Sequence, residues 1–492
     1  MDHYDLYLDG KPCPPSTGEY FESFDPYTGR PWAMVAKGGT EDVVRAIEAA
    51  HRAFVAPSWR GLSASARGNL LRRLGDLIAA NAERLGSIET RDNGKLLAEM
   101  LGQVRYIPQW FYYYGGLADK IEGSVVPNDK TKMFTYTKSE PLGVVAAITP
   151  WNSPLLLAVW KLAPALAAGN TVVWKPSEFS SVSALEFVKL FDEAGFPPGV
   201  VNVVTGFGAD IGETLVTHPL VAKIAFTGGE SAGQRVNELA ARHFKRITLE
   251  LGGKSPNIVF ADANLDNAVK GVISGIFAAT GQTCIAGSRL LVQRKIHDAF
   301  VDKVVEFAGT ARIGDPSKLE TQVGPVTTRP QYDKVLRYIE TAKSEGATCL
   351  LGGSPSRRPE CGTGWFVEPT IFSGVTPEMQ IAREEVFGPV LAVLPFEDDE
   401  EAVHIANSLP YGLAAGVWTE NIGRALTMVD RLEAGTVWVN TYRAVSYMMP
   451  FGGYKRSGLG RENGMGMINE YLQTKSVWID MGNDVPNPFV LR

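Results

Sequence analysis

From residue 143 onward the hydrophobic pattern alternates between two periods. Short β-branched runs at 144–148, 171–174, 200–204, 223–226 and 246–251 are separated by longer, helix-like stretches. That alternation predicts a parallel α/β sheet with helices on its faces. The rhythm restarts after Gly253 with a strand at 257–260, a helix at 265–279 and a strand at 289–292, which predicts a second α/β domain. Between the two, ELGGKSPN is glycine-rich and carries Pro256, a composition suited to a crossing between lobes.

Ahead of this alternation, 41–56 and 63–90 read as amphipathic helices, with Val44, Ile47, Ala50 and Phe54 on one face, expected to cover the first sheet. The most apolar stretch, 155–169, is interrupted by Lys161 and Pro164. It falls short of the roughly 20 residues of a membrane-spanning helix and is expected to be a buried helix. Two runs, 133–138 and 475–480, look like strands outside either alternation. Isolated strands of this kind often pair across subunits.

A chain of 492 residues is too long for one core, so two or three domains are expected. Lys and Arg number 48 against 54 Asp and Glu, a formal charge of -6, which leaves no basic excess for a nucleic-acid partner. Cys13, Cys284, Cys349 and Cys361 are scattered without CxxC spacing, suggesting neither a disulfide framework nor a zinc cluster. The opening MDHYDLYLDGKP carries acids where an export signal needs a basic start. A cytoplasmic protein with no membrane association is expected. The six histidines show no HExxH or other metal spacing, and no GxSxG elbow is present, so no metal is expected.

Candidate chemistry falls in a few motifs, each with a plain structural alternative. Cys284 in GQTCIAGSR is a nucleophile if a base and a depressed pKa serve it, and otherwise a small buried hydrophobe. Glu250 closes an apolar strand before two glycines, as a base candidate or as half of an ion pair. Asn152 in TPWNSP follows a strand and precedes a helix, where its amide can serve as an oxyanion donor or as a cap. Two glycine loops compete for cofactor phosphates: GFGADIG, with Ile211 where the dinucleotide fingerprint wants a small residue, and AFTGGESAG, between a strand and a helix. GGKS is not a P-loop, because Thr248 stands where its leading glycine should be. Lys175 and Glu178 in WKPSE lie just after a strand, suited to holding a ribose or to pairing with each other.

Taken in order, PWNSP, WKPSE, FTGG, LELGGKSPN, GQTCIAGSR, EEVFGP and PFGGYKRSGLGRE resemble the aldehyde dehydrogenase superfamily over nearly the whole chain. The resemblance implies a Rossmann-type cofactor domain, an α/β catalytic domain and a small β oligomerisation element. The divisions expected are 1–121 with 141–251, then 252–456, and finally 122–140 with 457–492.

The same resemblance implies Cys284 as nucleophile, Glu250 as general base, and Asn152 with the Cys284 N–H as oxyanion hole. Lys161 and Glu462 resemble a proton relay, with a packed ion pair as the alternative. Lys175 and Glu178 would clamp the adenosine ribose, and Glu385 with Phe387 the nicotinamide ribose. Gly228, Gly229 and Gly233 would line the pyrophosphate, with Gly208 near the adenine and Ile148 and Trp151 also at the cofactor. Gly229 stands where many relatives carry serine.

NAD is the expected cofactor, because the Glu178 carboxylate repels a 2'-phosphate, with NADP possible. An aldehyde would be oxidised to the acid through a thiohemiacetal and a thioester on Cys284, and the thioester would go to water, since coenzyme A-acylating members lack the glutamate at 250. The alternatives are a coenzyme A-acylating enzyme and a non-catalytic, nucleotide-binding structural descendant. Tyr106, Trp110, Leu156, Trp160, Tyr447 and Phe451 would form an apolar substrate tunnel, and Arg443 would either read a distal carboxylate or sit in a salt bridge. A homodimer or homotetramer is implied.

Overall fold

The computed structural model describes residues 1–482 and 487–490; positions 483–486 and 491–492, the end of the expected 457–492 element, lie outside the described residues. Five parallel strands form the centre of the first sheet, in the spatial order Arg246–Glu250, Val221–Thr227, Val144–Ile148, Thr171–Lys175, Val201–Val203. Val144 to Ala147 are buried, as a strand covered on both faces demands. The chain starts at the middle strand, runs outward to one edge and returns to the other side, so Val144–Ile148 and Val221–Thr227 are neighbours whose connections diverge. A crevice opens at such a switch point, outside the carboxyl ends of the strands.

Antiparallel strands finish the edges of this sheet. Leu6–Leu8 and Lys11–Cys13 close one side, and Gly458–Leu459 pairs with Leu249 and Glu250 on the other. Gly458–Leu459 was expected in the bridging element; in the structure its backbone belongs to the first sheet.

The second sheet has seven strands: Thr348–Leu351, Thr370–Ser373, Val390–Phe396, Arg289–Gln293, Pro256–Val259, Ala414–Trp418 and Thr436–Val439, parallel except for the first. The chain passes from Glu250, at the carboxyl end of the first sheet, through 251–255 to Pro256, at the amino end of a central strand of the second. Residues from both sheet ends are thereby brought face to face.

The two outlying strands are longer than the sequence pattern indicates and pair with each other, Met133–Pro141 antiparallel to Leu472–Asp480, with Lys138 opposite Lys475. Three short strands, Asp2–Tyr4, Tyr20–Asp25 and Arg30–Ala36, form a further small sheet that the hydrophobic pattern did not announce. The helix expected at 63–90 is two helices, Ala64–Ala80 and Ala82–Asn93, broken at Asn81, whose side chain donates to the Leu77 carbonyl. The helix expected at 265–279 ends at Ile276 and gives way to the tight turn Ala278–Gly281. Among the described residues no helix is long and apolar enough to cross a membrane.

Candidate active site

The apolar helix Pro154–Ala167 begins with proline at its first position, where a missing N–H costs nothing. The turn before it, at the carboxyl end of Val144–Ile148, holds Asn152 buried. One N–H of its amide donates to the Gln282 carbonyl at 3.0 Å, so the other remains for a ligand. Along the helix, Leu157 and Lys161 lie one turn apart on one face and Leu156 and Trp160 on the next.

Cys284 is brought to the same place by an unusual backbone. Ala279, Thr280 and Gly281 are all left-handed, with φ of 53, 55 and 69 degrees. A Cβ at Gly281 would stand 2.0 Å from the Gly388 carbonyl, so glycine is required there. The turn folds the chain back before Arg289–Gln293, and Cys284 sits half-buried at the amino end of that strand.

Cys284, Asn152, Glu250, Glu385, Phe387 and Leu157 bound one cavity of about 180 Å³. Burial, then the charges of Glu385 and Glu250, push the Cys284 thiol up to about 12, against the pull of the Cys284 and Ile285 backbone N–H groups. Glu250 is 3% exposed and neither carboxylate oxygen has a hydrogen-bond partner. Burial and the neighbouring Glu462 raise its pKa well above the usual carboxylate range, opposed by Lys161. Lys161 and Glu462 are fully buried and ion-paired, and the Lys161 Nζ also donates to Thr227 Oγ1 at 2.5 Å. The pair lies behind Glu250 rather than on the cavity wall.

A second, larger cleft of about 490 Å³ runs along the carboxyl ends of the first sheet and shares Trp151, Thr227, Gly228 and Gly229 with the cavity. Ile148, Trp151, Lys175, Glu178, Gly208, Gly228 and Gly229 all line it. Lys175 is buried, which lowers its pKa against the pull of Glu178, 3.7 Å away. Gly229 precedes the helix Glu230–Ala241 with no side chain capping its first N–H groups, and space is open where a Cβ at Gly208 or Gly229 would project. A bare backbone at an uncapped helix N-terminus fits a pyrophosphate. Gly233 is not on the cleft wall: a Cβ there would stand 2.4 Å from Leu251, so it is a packing glycine. Glu385 lies over Gly252 and accepts from the Gly253 N–H at 3.1 Å, and Phe387, at φ 58 degrees, meets the Trp151 ring edge-on.

Tyr106, Trp110, Trp160, Tyr447 and Phe451 form a continuous set of ring contacts with centroids 5.0–6.2 Å apart. Tyr113, 5.2 Å from Tyr447, belongs to it and was not singled out in the sequence, where it is one letter of the run FYYYGG. Leu156 is partly buried against the same core. Arg443 does not join the rings: at φ 66 degrees its guanidinium turns to Glu99, 3.7 Å away, and to the Ser274 carbonyl. Sequence reading also missed Leu157, Gln331 and Lys334 on the cavity wall and Arg235 on the cleft wall, where Arg235 pairs with Glu213 at 3.0 Å. Only helical spacing from Asn152 and Lys161 could have pointed to Leu157; nothing in the sequence marks the others. Among the described residues no cluster of His, Cys, Asp and Glu could hold a metal ion.

Comparison with known proteins agrees with this geometry. Residues 14–477 match the family model described as the aldehyde dehydrogenase family. The chain is 46% identical over 495 residues, covering 100% of both chains, to the (Z)-2-((N-methylformamido)methylene)-5-hydroxybutyrolactone dehydrogenase of Acinetobacter baylyi. It is 45% identical to human retinaldehyde dehydrogenase 3, over 96% of this chain and 91% of that one. Among solved structures, betaine aldehyde dehydrogenase of Staphylococcus aureus in complex with NAD+ superimposes with a TM-score of 0.97 at 38% identity, covering 99% of this chain and 96% of that one. The chain belongs to the aldehyde dehydrogenase family.

Proposed function

We propose that the aldehyde oxidation which family membership assigns to this chain runs through a thioester on Cys284 and ends in hydrolysis to the carboxylic acid. The observation that carries this reading is that Cys284, Asn152 and Glu250, from three separate segments, bound one cavity that opens into a glycine-lined cleft.

Glu250 takes the proton of the thiol and passes it toward Lys161 and Glu462 as the sulfur attacks the aldehyde carbonyl, and the oxyanion that forms is met by the free N–H of Asn152 and the Cys284 backbone N–H. The dinucleotide, when bound, supplies the hydride acceptor that converts the thiohemiacetal to the thioester. Glu250 then takes a proton from water as the water attacks the thioester. Its raised pKa makes it a better base than an ordinary carboxylate, and its lack of hydrogen bonds leaves it free to turn toward the thioester. Lys161 and Glu462 are the groups through which that proton leaves.

Lys175 and Glu178 hold the adenosine ribose, Glu385 and Phe387 the nicotinamide end, and the Gly229 loop the pyrophosphate. NAD is the cofactor these residues favour, since Glu178 opposes a 2'-phosphate; Arg235 and Lys175 are the cations on the cleft wall that would serve NADP. NAD+ is also the ligand named for the Staphylococcus aureus relative. The first sheet serves as cofactor domain, the second as catalytic domain, and the paired outer strands, with exposed Trp478 and Ile479, as the element that joins a homodimer or homotetramer. The aromatic rings favour an uncharged aromatic or apolar aldehyde, and Arg443, already paired with Glu99, is not free to read a carboxylate. The protein works in the cytoplasm.

Aldehyde-dependent NADH formation tests the reading: it should vanish in Cys284→Ala while NADH binding, followed by fluorescence, persists. Full activity in that variant sinks it. A coenzyme A thioester as product, with indifference to Glu250→Gln, would establish the acylating alternative.

A further inference from the structure

The loop that carries Asn152 and the loop that carries Cys284 are joined by more than their one shared contact. Asn152 Nδ2 donates to the Gln282 carbonyl, two residues before the cysteine, at 3.0 Å. The Gln282 side chain in turn accepts from the Thr327 N–H at 2.9 Å, and the Thr327 hydroxyl donates to the Asn93 carbonyl at 2.5 Å. The Asn93 side chain accepts from the Lys95 N–H at 2.8 Å, and the Lys95 ammonium donates to Ser153 Oγ at 3.1 Å. Ser153 is the residue after Asn152, so the chain of contacts closes on itself. All six residues are at most 6% exposed.

Lys95 is the costly member of this ring. It is 1% exposed, its ammonium has one hydrogen bond, and the charges of Glu99 and Glu89 act on it without a direct ion pair. An ammonium buried with so little compensation is unfavourable, and a methionine of similar length would fill the space more cheaply. The turn that presents it is also specified: Gly94 is left-handed at φ 74 degrees, and a Cβ there would stand 2.8 Å from Pro26 and Pro325. The helix preceding this turn makes a second attachment to the same loop, where Glu89 accepts from the Leu155 N–H at 2.9 Å.

We propose that Lys95 is a positioning residue of the oxyanion hole, which closes a buried hydrogen-bonded ring that fixes the Asn152 amide against the Cys284 loop. The proposal rests on the reading of Asn152 as oxyanion donor. An oxyanion donor works only if it is aimed before the charge develops, and displacement of a reacting group by about 1 Å costs roughly a hundredfold in rate. The ring supplies that aim from outside the cavity, through groups that touch neither aldehyde nor dinucleotide.

The experiment compares Lys95→Met, Thr327→Val, Asn152→Ala and the Lys95→Met/Asn152→Ala double variant of the full chain. Three quantities are read: kcat for aldehyde oxidation, KM for NAD, and cofactor-free cleavage of p-nitrophenyl acetate, which needs the nucleophile and the oxyanion hole alone. Lys95→Met should lower kcat and ester cleavage about 10- to 100-fold with KM for NAD within about twofold of the parent. Asn152→Ala should cost about 100- to 1000-fold, and adding Lys95→Met to it should cost no more than about twofold further, because the group being aimed is gone. Thr327→Val opens the ring on its far side without burying a different volume. It should lower kcat at least about fivefold, and it carries the test if Lys95→Met does not fold.

Parental kcat in folded Lys95→Met or in Thr327→Val overturns the proposal. So does a double variant in which the two losses multiply. Parental kcat in Asn152→Ala overturns both the ring and the oxyanion reading, whereas a disabled Asn152→Ala beside an intact Lys95→Met removes the ring alone.

Discussion

The resting thiol should be unreactive, and by an amount the structure sets. Burial, Glu385 and Glu250 together move the Cys284 pKa from 9.0 to about 12. At any pH below both values, three units mean about a thousandfold less thiolate than an unperturbed cysteine carries, and the thiolate is the species that alkylates. In cofactor-free protein, iodoacetamide should therefore modify Cys284 about a thousandfold more slowly than free cysteine near pH 7.5. Its rate should still climb tenfold per unit at about pH 10, with no plateau. Peptide mass spectrometry separates Cys284 from Cys13, Cys349 and Cys361, so the rate belongs to one site. Glu250→Gln and Glu385→Gln each remove one of the two charges that raise the pKa, and each should speed alkylation wherever the carboxylate it replaces is ionised. A plateau below about pH 9 in the parent, or rates untouched by both substitutions, refutes the electrostatic account of the site.

Three further outcomes follow from buried charge. Burial raises the Glu89 pKa from 4.5 to about 7, against the pull of the Leu155 N–H and Lys95. The folded state then holds this proton more tightly than the unfolded state, so stability is lost as pH rises between those two values. Glu89→Gln should gain about 3 kcal/mol over the parent between about pH 4.5 and pH 8, read from urea midpoints, and an equal difference at both pH values would count against the burial effect. Glu178→Gln, which removes the charge facing a 2'-phosphate, should raise the NADP to NAD ratio of kcat/KM about tenfold; an unchanged ratio would show that Glu178 does not discriminate. Arg443→Met should leave kcat/KM within about twofold for aromatic and carboxylate-bearing aldehydes alike, whereas a selective collapse for the latter would return Arg443 to substrate recognition.

The centre of the fold was legible because it obeys a period. The runs at 144–148 and 246–251 announced the strands Val144–Ile148 and Arg246–Glu250 to within a residue, since strands buried on both faces are written as unbroken β-branched stretches. What failed to register was set by contacts distant in sequence. The strands Tyr20–Asp25 and Arg30–Ala36 bury no regular every-second-residue face, and the Asn81 break depends on one side chain bonding back to the Leu77 carbonyl. The left-handed turn at Ala279 and Thr280 uses residues that ordinarily continue a helix, and only Gly281 hints at it. The pairing of Met133–Pro141 with Leu472–Asp480 joins segments from distant parts of the chain, which no local signal can announce.

The site divides along the same line. Cys284, Glu250 and Asn152 each allow a plain structural reading on their own and are marked out by the family motifs that carry them, and the structure gathers all three on one cavity. Gly233 shows the ambiguity of a glycine after a strand, which reads as a phosphate cradle while its missing Cβ makes room for Leu251. For Arg443 the salt bridge was one of the two readings the sequence left open, and its partner Glu99 is not visible there. Lys95 left no trace at all. A lysine after asparagine and glycine reads as a solvated turn, and only the packing of four segments reveals that its ammonium is buried. Reactive groups can be read from the family motifs around them. The groups that aim them are recognised only by what they reach, so the rate effect of Lys95→Met in the parent and in the Asn152→Ala background measures the part of this active site that the sequence conceals.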